Sequence, residues 1–197
     1  MAIPSPPGPP LGAPGAPGEW ARLCAEEKRE RLLAAAGAVF AREGIEAAMP
    51  TVAAAAGAGV GSVYRQFPSK EDLLAALVVR RLDTVAQDIE EALGAPGAAW
   101  DAFVALMWAL ADLQAADDVA AEALATVGGR PEVAERSRHC ELRLEILLDR
   151  SRREGRLRAD ASHADVRLLL AAVRAIRRRE PDSWRRMVVL GLDGLAA

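Results

Sequence analysis

The sequence predicts an all-α fold, and three observations carry that prediction. Of the 197 residues, 43 are alanine, the best helix former and a residue depleted in strands. No segment alternates apolar and polar residues as a half-buried strand does. Five prolines stand just before or inside the start of an apolar helical pattern, where the N–H that proline lacks would be unpaired anyway. They are Pro50, Pro68, Pro96, Pro131 and Pro181.

Residues 1–18 are the exception to this helical pattern. They contain seven prolines and four glycines, so they offer neither side chains for a core nor a run compatible with helix. We expect a disordered tail with polyproline character. A proline-rich ligand for a partner is the alternative for this segment.

Apolar periodicity predicts nine helices after this tail. The first carries an apolar stripe and ends at Gly44, where glycine can adopt the left-handed cap conformation. The fourth begins at Ser69, with Asp72 three residues later as an acidic variant of the capping box. The predicted helices are 22–43, 50–56, 60–66, 70–93, 97–115, 117–127, 131–154, 162–178 and 182–195.

Charge and cysteine content restrict the classes of function. The formal net charge is −3, so any nucleic-acid contact must be local rather than a diffuse cationic coat. The two cysteines, Cys24 and Cys140, build no disulfide framework and fit a reducing compartment. The N-terminus lacks a signal-peptide pattern, and no apolar run reaches the ~18 residues that span a bilayer. We expect a cytoplasmic protein without a membrane partner.

The segment 50–70, PTVAAAAGAGVGSVYRQFPSK, carries the pattern of a helix-turn-helix. Two short predicted helices flank Gly57-Ala58-Gly59, with Gly57 supplying the left-handed turn. The predicted inward residues are Val52, Val60, Val63 and Phe67. The side chains that remain near the surface are Ser62, Tyr64, Arg65 and Gln66. Such a set of donors on one short helix suits phosphates and base edges in a major groove.

The run from Arg31 to Leu77 resembles the DNA-binding domain of the TetR family of bacterial transcriptional repressors. The matching features are Leu32-Leu33 before alanines, Phe40, Gly44, Ala56-Gly57, Gly61-Ser62-Val63-Tyr64, Phe67-Pro68-Ser69-Lys70 and a leucine-rich fourth helix. The rest of the chain matches in length and helical pattern. The resemblance implies a three-helix DNA-binding domain with a helix-turn-helix at 19–80. An α-helical effector-binding and dimerisation domain would follow at 81–197.

The resemblance also implies roles for residues of the second short helix. Val60 and Gly61 would lie against base edges, and Val60 could touch a thymine methyl. Ser62 and Tyr64 would hydrogen-bond phosphates. Arg65 would read a base directly, for instance a guanine.

Lys70 and two departures from the family pattern complete the predicted interface. Lys70 would meet a phosphate at the N-terminus of the fourth helix. The family usually has His where this chain has Gln66, which can donate one hydrogen bond but cannot become charged. It also usually has Thr or Ser where this chain has Ala47-Ala48. That change removes a cap worth about 0.5–2 kcal/mol and a phosphate contact.

A stripe of large apolar residues marks the predicted helix 97–115. Its members are Trp100, Phe103, Met107 and Trp108. Such a stripe is either packed core or the wall of an apolar effector pocket, and the sequence leaves both interpretations open. Gln114, His139 and Glu141 are candidate polar partners in such a pocket.

The last two predicted helices carry apolar rows that suggest a dimer. The rows are Val166, Leu169, Leu170 and Val173, then Met187, Leu190 and Leu195. In the resembling proteins these helices pair with their symmetry mates, so that two recognition helices read a palindrome in double-stranded DNA. The resemblance thus implies a homodimeric transcriptional regulator, a repressor that a small apolar effector releases by population shift.

A small-molecule carrier or an enzyme on an all-α scaffold, without DNA binding, is the alternative from another class. Against it, the sequence has no G-x-S-x-G, H-E-x-x-H, C-x-x-C or P-loop pattern. The spaced glycines from Gly57 to Gly61 follow no strand, and His139-Cys140 lacks the further ligands of a zinc site. We expect no catalytic residue, no cofactor and no metal.

Overall fold

The computed structural model describes residues 19–116 and 118–197. Within these residues it contains ten helices and no strand beyond one isolated bridge between Leu157 and Ala196, which confirms the all-α prediction. The tail predicted for residues 1–18 lies outside the described residues. No described helix combines the length and the hydropathy needed to cross a membrane.

Each predicted helix has a counterpart whose ends lie within three residues of the prediction. The helices are α1 (Glu19–Arg22), α2 (Ala25–Glu43), α3 (Met49–Ala56), α4 (Val60–Gln66), α5 (Lys70–Gly94), α6 (Ala99–Ala116), α7 (Asp118–Val127), α8 (Pro131–Arg153), α9 (His163–Arg179) and α10 (Trp184–Leu195).

The start of α2 differs from the prediction of one helix over 22–43. The chain breaks at Cys24, which is the N-cap of α2. Its backbone N–H donates to Oε2 of Glu27 at 2.7 Å, and the N–H of Glu27 donates to its Sγ at 3.5 Å. This reciprocal pairing is a capping box with sulfur in place of the usual hydroxyl oxygen. Cysteine is not among the preferred capping residues, so the sequence pattern did not predict the break.

The structure divides into two compact units, the first ending at Leu73 and the second comprising Leu74–Ala197. The division falls inside α5, a few residues before the predicted domain boundary at 80/81. The position of a functional domain boundary within this helix stays a prediction.

Local capping fixes the elements of the first unit. Gly44 has a φ of 81° and its N–H donates to the carbonyl of Phe40 at 2.8 Å, while Gly57 is left-handed with a φ of 67°. The carboxylate of Asp72 accepts from the backbone N–H and the hydroxyl of Ser69. The helix end at Gly44, the left-handed turn at Gly57 and the Ser69–Asp72 capping box are therefore confirmed, although Gly44 itself, with a ψ of 164°, is not in the left-handed helical conformation. The N-cap of α3 is Ala48, which has no side-chain hydrogen bond to offer.

The core of the second unit lies mainly among α6, α8, α9 and α10. Its most deeply buried side chains include Phe103, Met107, Leu147, Leu148, Val173 and Val188. Glu154 closes the N-terminus of α6, since its carboxylate accepts from the backbone N–H groups of Ala99 and Trp100 at 2.8 and 3.2 Å. Helices α9 and α10 approach so closely that a Cβ on Gly191 would overlap the side chain of Leu169.

Most residues of the predicted dimer rows belong to this core. The buried members are Val166, Leu169, Val173 and Leu195, whereas Leu170 and Met187 are half-buried. Leu190 is 50% exposed. The apolar rows thus serve first to join α9 and α10 to their own unit, and only part of each row remains on the surface.

Candidate nucleic-acid interface

Helices α3 and α4 form the predicted helix-turn-helix. Val52, Val63 and Phe67 are buried as predicted. Val60 is not, because its side chain is 40% exposed, and the prediction that it points inward is wrong. It is the first residue of a seven-residue helix, where Val63, one turn later, already supplies the buried contact. Val60 can therefore meet an external partner.

Two arginines of α2 hold the motif in place. Nε of Arg31 donates to the carbonyl of Ala56, the last residue of α3, at 2.9 Å. The guanidinium of Arg29 lies 4.6 Å from the ring centroid of Phe67, which ends α4, within cation–π range. Neither contact was predicted, because each joins residues far apart in the chain. The only available signal was the presence of basic residues just before the apolar stripe of α2.

The outer face of α4 is rich in hydrogen-bonding groups. Among the predicted DNA-contact residues, Gly61, Tyr64 and Arg65 are exposed with Val60, while Ser62, Gln66 and Lys70 are half-buried. Tyr64 is 46% exposed, which is unusual for so large an aromatic side chain. Nη2 of Arg65 donates to the hydroxyl of Ser62 at 2.7 Å and holds the guanidinium along the helix surface. This arrangement presents several donors on two helical turns.

Lys70 is already engaged with a surface carboxylate. Its Nζ lies 3.1 Å from Oε2 of Glu46, whose side chain is 91% exposed. Exposed ion pairs contribute about 0–1 kcal/mol, so a phosphate can replace Glu46 at little cost. Two backbone N–H groups at this helix start, those of Ser69 and Asp72, are used by the capping box. Lys70 would thus contact a phosphate mainly through its ammonium group.

The four residues of the predicted effector stripe pack in the core of the second unit. Trp100, Phe103 and Met107 are buried, and half-buried Trp108 lies edge-on to Trp184 with 6.3 Å between ring centroids. A cavity of about 550 Å³ lies elsewhere in this unit and is bordered by residues of α5 to α9, with none of the four stripe residues in its lining. Ligand binding by the stripe stays a prediction.

Of the predicted polar partners, Glu141 lines the cavity, whereas His139 is exposed. The side chain of Gln114 lies outside the described residues. Ser137, Arg167 and Arg174 also line the cavity and were not predicted. The available signal was helical spacing, since Ser137 lies four residues before Glu141 on α8 and Arg167 and Arg174 are seven residues apart on α9.

One end of the cavity lies against a network around His163. Its backbone N–H and its Nδ1 lie 2.7 and 2.8 Å from Oε1 of Glu145, and Arg152 donates to the same carboxylate at 3.2 Å. Burial raises the pKa of Glu145, but the hydrogen bonds from His163 and Arg152 outweigh it and hold the pKa below its ordinary value. Glu145 therefore stays ionised and fixes the start of α9.

Two family models match the chain. Residues 32–77 match the model of bacterial regulatory proteins of the tetR family. Residues 95–197, more than half of the chain, match the model of the C-terminal domain of SbtR-like transcriptional regulators. No curated protein matches the chain.

Several solved structures share the fold at similar length. A TetR transcription regulatory protein from Mycobacterium vanbaalenii is 31% identical, with a TM-score of 0.61, and the match covers 86% of this chain and 95% of that one. A TetR transcriptional regulator from Streptomyces coelicolor is 28% identical, with a TM-score of 0.63 and coverage of 85% and 98%. A gamma-butyrolactone receptor, an ArpA-like protein, is 25% identical, with a TM-score of 0.66 and coverage of 88% and 90%.

Substitution of Gly61 tests whether α4 approaches DNA closely. A Cβ at this position would meet only Nη1 of Arg65, at 3.9 Å, so protein packing does not require glycine. We expect Gly61→Ala to raise the free energy of unfolding by roughly 0.5–1 kcal/mol and to weaken operator binding, because the Cβ would stand between α4 and the base edges. Thermal melting and fluorescence anisotropy with operator DNA measure the two effects.

Gly94→Ala is the matched control, since Gly94 ends α5 and an added Cβ there meets nothing within 4 Å. It should leave operator affinity unchanged. Unchanged or tighter operator binding by Gly61→Ala would contradict a close approach of Gly61 to the bases.

Lys70→Ala should weaken binding to all DNA sequences alike and lower the slope of log affinity against log salt by about one. Glu46→Gln is the control, because it removes the competing carboxylate and should leave affinity unchanged or slightly higher. Salt titrations with operator and unrelated DNA supply the measurement. A loss confined to the operator would show that Lys70 is not a phosphate contact.

Proposed function

The chain belongs to the TetR family of bacterial regulatory proteins, and we propose that it is a homodimeric repressor that binds a palindromic operator through α4 and is released by a small apolar effector. Family membership makes it a transcriptional regulator with a helix-turn-helix. The alternative of a carrier or enzyme without DNA binding is not favoured. Such a regulator would act on chromosomal DNA in the cytoplasm.

The observation that carries the DNA-binding part is the exposed face of α4. Arg65 lies on this face, and its guanidinium, released from Ser62, can pair with the two acceptors of a guanine, a contact worth about 1–3 kcal/mol of discrimination. Tyr64 and Ser62 offer hydroxyls to flanking phosphates. Because α2 and α3 support α4, these groups would lose little conformational entropy when DNA binds.

The surface of α9 and α10 supports the dimer. An open groove of about 890 Å³ runs along these helices and is lined by apolar and cationic side chains, among them Ile176, Arg178, Met187 and Leu190. Leu190, half exposed at this groove, would be covered by the same helices of a second copy. A two-fold axis there would present two α4 helices to a palindrome.

The cavity of the second unit supports the effector. Its volume of about 550 Å³ falls within the roughly 300–1,000 Å³ of small-molecule sites. One of the similar structures is named a gamma-butyrolactone receptor, and gamma-butyrolactone is a small molecule. An effector bound here would favour a dimer whose α4 helices no longer match successive major grooves.

Mobility shift with the DNA upstream of the protein's own gene tests the proposal. The wild type should bind one site specifically, and Arg65→Ala should cost about 1–3 kcal/mol and relax the preference at one operator position. Arg42→Ala is the matched control, because Arg42 is an exposed arginine near the end of α2 that pairs with Glu43. Absence of any specific site would favour the carrier, and unchanged preference in Arg65→Ala would remove Arg65 from base recognition.

Leu190→Glu tests the dimer. A buried carboxylate without a partner is costly, so the variant should sediment as a folded monomer and lose specific operator binding. Leu142→Glu is the control, because Leu142 is 62% exposed on α8 and does not line the α9–α10 groove. Analytical ultracentrifugation separates the cases. A Leu190→Glu protein that remains dimeric places the interface elsewhere.

A further inference from the structure

We infer that the cavity of the second unit accepts an aliphatic molecule with a terminal carboxylate. The inference rests on the proposed function in taking this cavity as the effector site. It goes further in assigning the chemistry of both ends of the effector. The apolar lining, the position of the cationic side chains and the sign of the lining charge carry it.

The body of the cavity is aliphatic. Its apolar lining includes Leu82, Val85, Ile89, Leu110, Leu144 and Val166. Among the described residues that border it, none is Phe, Tyr or Trp, and the one ring is the imidazole of His163, which pairs with Glu145. A planar ligand would therefore find little surface for stacking. A flexible alkyl chain does not need a stacking partner. The burial of each of its methylenes contributes about 0.8 kcal/mol to binding.

The relative positions of α5, α8 and α9 along their axes place polar side chains of the protein at one end of the cavity. Sγ of Cys140 donates to the carbonyl of Leu82, which sets Arg81 near the level of Ser137. On the other side, Nη1 of Arg167 lies 3.4 Å from Oε1 of Glu141, while His163 pairs with Glu145. Helices α8 and α9 are therefore antiparallel there.

Arg174 lies two turns beyond Arg167 along α9, about 10 Å at 1.5 Å per residue. It therefore comes near the level of Ser137, which lies one turn before Glu141 on α8. Arg81, Ser137 and Arg174, all lining residues, thus occupy the same end of the cavity. Ile89 and Leu144 lie toward the other end.

The charge of the lining favours an anion. Among the described lining residues, three arginines outnumber the single carboxylate of Glu141, which faces Arg167. Within this set, Arg174 lies at the other end of the cavity with Arg81, where no described carboxylate lines the wall. The planar fork of a guanidinium matches a carboxylate through two parallel hydrogen bonds, and the hydroxyl of Ser137 can add a third.

Arg174 also borders the groove along α9 and α10. A carboxylate bound at Arg174 would thus act where the cavity adjoins the proposed dimer surface. This placement gives the effector a direct route to the spacing of the two DNA-binding units.

Calorimetric titration of the full-length protein with decanoate, 1-decanol and decylamine tests the inference, because the three probes share one chain length and differ in head-group charge. Decanoate should bind at least tenfold more tightly than 1-decanol, and decylamine more weakly than either. Arg81→Gln and Arg174→Gln should each remove most of the preference for decanoate and change the affinity for 1-decanol less than twofold. Val85→Phe, which fills the cavity, should weaken both ligands.

Arg179→Gln is the matched control, because Arg179 is an exposed arginine of α9 that does not line the cavity. Arg81 does not border the α9–α10 groove, so its variant separates head-group binding from dimerisation. Decanoate binding no tighter than 1-decanol or decylamine, or a preference that survives both arginine variants, overturns the inference. Decanoate binding without any specific DNA site would overturn the proposed repressor and leave the carboxylate site standing.

Discussion

The DNA-binding part of this protein depends on the burial of one face of a seven-residue helix. So short a helix is not stable alone in water, because nucleation costs more than a few hydrogen bonds return. Val63 and Phe67 anchor α4, and the guanidinium of Arg29 covers the ring of Phe67. Arg31 fixes the preceding helix at its last carbonyl. The recognition face therefore depends on the core contacts beneath it.

Helix α9 of the second unit borders the core, the cavity and the groove, and Arg174 lies where the last two adjoin. Val173 faces the core, Leu170 and Arg167 face the cavity, and Ala175 with Ile176 borders the groove toward α10. A ligand in the cavity and a second copy at the groove would thus act on one rigid element. Since packed helices shift as bodies rather than deform, this arrangement suits a regulator that converts ligand binding into a change of dimer geometry.

Local signals made most of the fold predictable from the sequence. Glycines at the ends of helices, prolines at their starts and the Ser69-Asp72 capping box act over a few residues, and the structure has them as predicted. The break at Cys24 was missed because sulfur is a poor acceptor and rarely caps a helix. The prediction that Val60 is buried was wrong because periodicity alone does not show which residues of a short helix lie beyond the helix packed against it.

The exposed face of α4 was predictable from the sequence, whereas the cavity of the second unit was not. The stripe from Trp100 to Trp108 has the composition of a core and of a pocket alike, and only tertiary packing decides between them. The cavity is assembled from five helices, each contributing a few residues that look ordinary in sequence. Long-range contacts such as that of Arg31 with Ala56 are equally invisible to local patterns.

Site-specific photocrosslinking to operator DNA tests the central claim, that the outer face of α4 contacts the bases, most directly. A photoreactive phenylalanine analogue in place of Tyr64 should crosslink to operator DNA within each half-site, and unlabelled operator should compete the product away. The same analogue in place of Leu142, an exposed residue of α8, should give no crosslink. Equal crosslinking from both positions, or none from position 64 in a complex that forms normally, would contradict the account.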